Sequence, residues 1–132
     1  MKYPLGKRSI DNLGTCDTRL IRIAYILADM FNFSVIWGHR NEEDQGTAFS
    51  KGMSEKQWPH SFHNSYPSKA FDIVPWPEGY QDRELLCYQA GLVLGIAKSR
   101  AIPIRWGGDW NRNGRIRDER FQDLAHFEIY LD

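Results

Sequence analysis

Two stretches of this 132-residue chain alternate so as to aim ionisable groups away from a core. In the terminal stretch His126–Leu131, His126, Glu128 and Tyr130 alternate with Phe127, Ile129 and Leu131. Successive strand residues point to opposite faces, so the apolar set marks the core face. Ala70–Pro75 alternates likewise, with Phe71 and Ile73 opposed to Ala70, Asp72 and Val74. His63 lies upstream in the loop Ser61-Phe62-His63-Asn64. Two imidazoles and a carboxylate are a common ligand set for catalytic zinc, which keeps a further position open. Such a metal acidifies water and polarises a carbonyl. Spacing alone leaves an alternative standing. A chain with 4 His and 17 Asp+Glu can offer this triple by chance, as hydrogen-bonded groups at or near the surface.

The elements that would position these groups are legible in outline. Asp17 is a plausible N-cap for a helix over 17–31, where Leu20, Ile23, Leu27 and Phe31 recur at helical spacing. Phe33–Trp37 alternates as a strand. The polar stretch 38–69 predicts a loop with a short helix at 41–49, and long ordered loops tend to carry function. Ala70–Pro75 is the second strand, and Asp82 opens a helix running to Lys98. In that helix Gly91 and Gly95 suggest a close approach by another element. Ile102–Trp106 and His126–Leu131 complete the strands. The mixture predicts an α+β fold: a small antiparallel sheet with helices packed on one face.

Composition narrows the function. The 17 Lys+Arg balance 17 Asp+Glu, which argues against nucleic acid and against a polybasic membrane anchor. Apolar residues at 42% and charged residues at 26% are those of an ordinary globular protein. No apolar run is long enough to span a membrane, and the opening Met1–Leu13 lacks the apolar core of a secretion signal. The expectation is one domain over 1–132, made in a cytoplasm, which another agent must release if it acts outside. Cys16 and Cys87 are read as reduced thiols.

The motifs themselves carry a resemblance. Ser61, His63, Ala70 and Asp72 resemble the SxHxxGxAxD signature of the D-Ala-D-Ala carboxypeptidase / L-alanyl-D-glutamate peptidase family of zinc metallopeptidases. Asp123-Leu124-Ala125-His126-Phe127-Glu128 resembles its second motif, and Gly38-His39-Arg40 with Gln45 its upstream segment. Arg105-Trp106-Gly107-Gly108-Asp109-Trp110 is similar to a stretch of phage endolysin peptidases, as is the opening Leu5-Gly6-Lys7-Arg8-Ser9. The order along the chain is also the family's. One feature departs: the step from His63 to Asp72 is nine residues rather than seven, with Tyr66-Pro67-Ser68 where a single Gly is usual.

The resemblance implies a hedgehog/DD-peptidase-like fold, with His63, Asp72 and His126 as zinc ligands and Asp123 as general base. It implies Arg40 near the scissile carbonyl. Gln45, Ser61 and Glu128 would support ligands or substrate. The substrate implied is a peptidoglycan stem peptide, cut at L-Ala–D-Glu by a phage endolysin. The alternatives are a D-Ala-D-Ala carboxypeptidase or dipeptidase, and an inactive zinc-binding module of the same fold. Asp109, Asn111, Asn113 and Gly114 also match the first half of an EF-hand calcium loop, with Asp118 or Glu119 needed to close it. Some phage peptidases of the family are similar there, which extends the expectation to calcium.

Overall fold

The computed structural model describes residues 1–132. In chain order the elements are helices α1 (Lys7–Leu13) and α2 (Thr18–Leu27), strand β1 (Phe33–Trp37), and helix α3 (Glu42–Ser50). A 3-10 turn (Phe62–Asn64) follows, then β2 (Ala70–Pro75), α4 (Arg83–Ser99), β3 (Ile104–Gly107) and β4 (Asp123–Ile129). The strands form one antiparallel sheet in the order β1-β2-β4-β3. The fold is α+β, as the alternation of elements requires.

Helices α2, α3 and α4 each begin where a side chain can serve their free amides. Asp17 accepts from the Arg19 amide, Asn41 from Asp44 and Asp82 from Leu85. Helix α2 stops at Leu27, short of the residue-31 limit that apolar spacing suggested. One core unites Phe71, Ile73, Phe127 and Ile129 of the sheet with Leu20, Ile23 and Leu27 of α2 and Ala90, Val93 and Ala97 of α4. Burying such side chains contributes about 1.5–3 kcal/mol each. Leu131, expected on this core face, is 63% exposed because β4 ends at Ile129. Gly91 and Gly95 admit no neighbour: a Cβ at either would meet open space.

Strand β1 is an edge, and α1 covers it. The Val35 amide donates to Ser9 Oγ at 2.9 Å, and Asn12 Nδ2 donates to the Val35 and Ile36 carbonyls at 2.9 and 3.0 Å. Pairing the free strand edge in this way removes a template for aggregation. It also fixes how the chain leaves β1. At Gly38 a Cβ would stand 2.3 Å from both the Asn12 carbonyl oxygen and Thr15 Oγ1, so only glycine fits. Gly38→Ala is therefore expected to lower stability by about 1–3 kcal/mol, the usual cost of overpacking. A wild-type denaturation midpoint in that variant would contradict this account of the contact.

Candidate metal centre

The sheet register sets Asp72 of β2 directly opposite His126 of β4. His63 is brought to them by the 3-10 turn, which Ser61 caps. Ser61 Oγ accepts from the His63 amide at 3.2 Å, and Asn64 Oδ1 accepts from the Ser61 amide at 3.0 Å. The Arg40 amide donates to the His63 carbonyl at 2.8 Å, tying the turn to the chain that leaves β1. The two extra loop residues do not disturb this. Tyr66 swings into solvent, and Ser68 is regathered by backbone bonds with Thr15 and Asp17.

The result is a buried triangle. His63 Nε2, Asp72 Oδ1 and His126 Nδ1 stand 3.1, 3.1 and 3.2 Å apart. A tetrahedral zinc site with bonds of ~2.0 Å has ligand–ligand edges of ~3.3 Å, so the triangle has the right size. The remaining ring nitrogens are already committed. His63 Nδ1 donates to the Gly38 carbonyl at 2.7 Å, and His126 Nε2 donates to Glu128 Oε1 at 2.8 Å. Each imidazole thus turns its other nitrogen to the centre. His63, Asp72 and His126 are the group of side chains that fits a metal ion.

Electrostatics sets the charge on each of the three groups. Burial pushes the His63 imidazole down, so it is neutral. Burial also opposes charge on His126, but its bonds to Asp72 and Glu128 outweigh burial and raise it to about 10. Burial would push the Asp72 carboxyl up, yet the two imidazoles hold it well below its usual range. These shifts favour an ionised Asp72 hydrogen-bonded to His126.

Two further groups frame it. Arg40, buried, donates to Asp72 Oδ2 at 3.0 Å and to Gln45 Oε1 at 3.4 Å, with its guanidinium 5.0 Å from the Trp37 ring centre. Its Nε is buried without a partner. Gln45 serves the frame: its amide nitrogen donates to Ser54 Oγ and the Lys56 carbonyl, at 3.0 and 2.7 Å. On the other side Glu128 is gripped by Arg105, whose Nε lies 3.0 Å from Glu128 Oε2. Sequence reading missed Arg105 as a site residue. Its signal was strand parity, since Arg105 and Glu128 are register partners.

Asp123 opens β4, three residues before His126. A bulge separates its pairing with Gly107 from the regular ladder, which starts the strand earlier than the expected residue 126. A Cβ at Gly107 would lie 2.2 Å from the Asp123 carbonyl oxygen, so the close approach needs glycine. Burial, then the Asp72 charge, raises the Asp123 carboxyl to about 7. Asp123, His63, His126 and Arg40 line a cleft of about 280 Å3, whose walls include Trp110, Phe121, Lys56 and His60.

His39, by contrast, bonds the Ser65 carbonyl away from the triangle. Cys16 and Cys87 are unpaired, and burial pushes the Cys16 thiol up to about 12, which keeps it from acting as a thiolate ligand. The 109–119 loop is closed by its own bonds. Asp109 accepts from the Asn113 and Gly114 amides, Asn111 from Asn113, and Asn113 from Arg115 while donating to Asp118.

Fold and site define a class: an α+β hydrolase whose sheet carries a His-Asp-His centre suited to a metal. The family model for phage L-alanyl-D-glutamate peptidases matches residues 1–130, and the chain belongs to that family. It is 25% identical over 124 residues to the L-alanyl-D-glutamate peptidase of Escherichia phage T5, covering 90% of each. It also resembles the crystal structure of the Serratia marcescens L-Ala D-Glu endopeptidase ChiX. There the TM-score is 0.72 at 25% identity, covering 93% of this chain and 86% of that one.

Metal loading should displace the His126 proton. Below about 10 the metal competes with that proton, so apparent affinity rises with pH up to that value. Calorimetry in buffers of different ionisation enthalpy should find about one proton released per zinc near neutral pH. Loading without proton release would show that His126 carries no extra proton between Asp72 and Glu128. Glu128→Gln and Arg105→Met should each weaken zinc binding by roughly 10–100-fold, as loss of a partner behind a ligand does. Unchanged affinity in both would show that His126 needs neither.

Proposed function

We propose that this chain is a zinc peptidase that cuts the L-Ala–D-Glu bond of peptidoglycan stem peptides and serves as a phage endolysin. The observation that carries this reading is the buried His63–Asp72–His126 triangle with Asp123 lining the same cleft. The family and the names of both relatives support the choice of bond. No helix is long and apolar enough to cross a membrane. We take 1–132 as one catalytic domain, active as a monomer and delivered to the wall by a separate release step.

In this reading His63, Asp72 and His126 hold the metal. Zinc, when bound, supplies a Lewis acid that acidifies water and polarises the scissile carbonyl. Asp123 takes the proton from the attacking water and hands it to the leaving amine. Burial raises its carboxyl, which strengthens it as a base. Arg40 lines the cleft, and its positive charge offsets charge developing on the carbonyl oxygen. Glu128 and Arg105 fix the His126 ring, and Ser61 and Gln45 fix the segments bearing His63 and Arg40.

Calcium is a secondary part of the proposal, at Asp109, Asn111, Asn113 and Asp118. The oxygens of this loop already serve backbone amides, so affinity should be weak, on the order of 10⁻⁴–10⁻³ M. Calorimetric titration of zinc-loaded protein should show heat in that range, and silence well above it would leave the loop a turn.

Purified muropeptides incubated with zinc-loaded protein and read by mass spectrometry should show cleavage between L-Ala and D-Glu. Release of D-Ala alone would favour the carboxypeptidase reading, and no cleavage the inactive module. Asp123→Asn should retain zinc and lose ~10²–10⁴-fold in turnover. Arg40→Ala should lose roughly 10²-fold. Full activity in a zinc-loaded Asp123→Asn protein would remove the base from the mechanism.

A further inference from the structure

A second groove, of about 710 Å3, lies at the β1 side of the sheet, further along β2 from the metal cleft. Ser34, Ile36 and Val74 contribute to its floor. Ser34 and Val74 are register partners, and Val74 follows Asp72 by two residues on β2. Alternation puts Val74 on the same sheet face as Asp72, about 7 Å along the strand. The floor therefore begins two extended residues from the metal centre.

The groove's walls have a distinct chemistry. The N-terminal segment contributes Lys2, Lys7 and Arg8, and the turn after β2 contributes Trp76 and Tyr80. No Asp or Glu lines the groove, whereas the metal cleft mixes Glu55, Asp123 and Glu128 with Arg40, Lys56 and Arg105. Lys7 is already paired with Asp11 at 2.8 Å, which leaves Lys2 and Arg8 as the cations facing the groove. Trp76 is 59% and Tyr80 52% exposed, an unusual outlay of aromatic surface on one rim.

The proposed substrate has the same asymmetry. On one side of the scissile bond L-Ala is amide-linked to an uncharged N-acetylated sugar. On the other side D-Glu continues through its γ-carboxyl, which leaves the α-carboxylate free, and later residues add further carboxylates. We infer that this groove binds the acidic, D-Glu side of the stem peptide. Lys2 and Arg8 meet its carboxylates, and Trp76 and Tyr80 pack its aliphatic chain. The volume falls in the ~300–1,000 Å3 range of small-ligand sites. The inference rests on the peptidase reading and adds to it which end of the substrate lies where.

The test is a ¹⁵N spectrum of zinc-loaded protein titrated with the tripeptide product, D-Glu γ-linked to diaminopimelate and D-Ala. Expected are shifts of the Trp76 indole and of the amides of residues 2–9, weakening with salt. Lys2→Ala/Arg8→Ala, at exposed positions, should weaken binding of this peptide roughly tenfold. The same variant should raise KM for muropeptides more than it lowers kcat. The α-amidated peptide should bind the wild type less tightly than the free acid. Shifts confined to Trp110, Phe121 and Lys56 would overturn the inference. So would groove shifts produced by the disaccharide–L-Ala product instead, or an unchanged KM in the double variant. Failure of the peptidase reading shows separately, as no cleavage by wild-type protein, and takes the inference with it.

Discussion

Three electron-pair donors pointed at one another across about 3 Å repel unless a cation stands among them. His63 Nε2, Asp72 Oδ1 and His126 Nδ1 are so placed, in a site closed to bulk water on most sides. Each ring is held there by the hydrogen it donates elsewhere, to the Gly38 carbonyl and to Glu128. Such outer partners fix both the tautomer and the ring orientation. Burial makes such an arrangement costly, and a proton on His126 or a bound cation would each offset that cost.

The rest of the fold can be read as the means of holding that triangle. The β2–β4 register supplies two corners on the strands least able to move, since β2 is buried along its whole length. The third corner sits on a loop, which is the weaker support, and it is correspondingly tied down. Ser61 caps it, the Arg40 amide holds its carbonyl, and Gly38 presents the acceptor for His63 from a position pressed against α1. Helix α1 thus has two tasks, shielding the edge of β1 and setting where Gly38 lies. Opposite, Gly107 lets β3 close on Asp123, so the proposed base and the His126 ligand share one strand.

Much of this was legible in the sequence because it depends on parity. Alternation in Ala70–Pro75 and His126–Leu131 separates Asp72 and His126 from the core residues without any knowledge of pairing. The same parity connects Arg105 to Glu128, but only once the register of β3 on β4 is known, and register is not written in either strand alone. The bulge that starts β4 at Asp123 depends on Gly107, a contact between residues distant in sequence. Leu131 continues the apolar alternation past the last pairing, so pattern alone placed it inside. The two added residues before Asp72 look disruptive in a motif and are harmless in space. The surplus loops out at Tyr66, and Ser68 rejoins the frame through backbone bonds that no side-chain pattern reveals.

The central claim is that one metal ion occupies the His63–Asp72–His126 triangle. X-ray absorption at the zinc edge of the loaded protein addresses it most directly. The account predicts about four nitrogen or oxygen neighbours at ~2.0 Å, the outer-shell scattering of two imidazoles, and no sulfur. A sulfur neighbour near ~2.3 Å, or the outer-shell signal of fewer than two imidazoles, would contradict it.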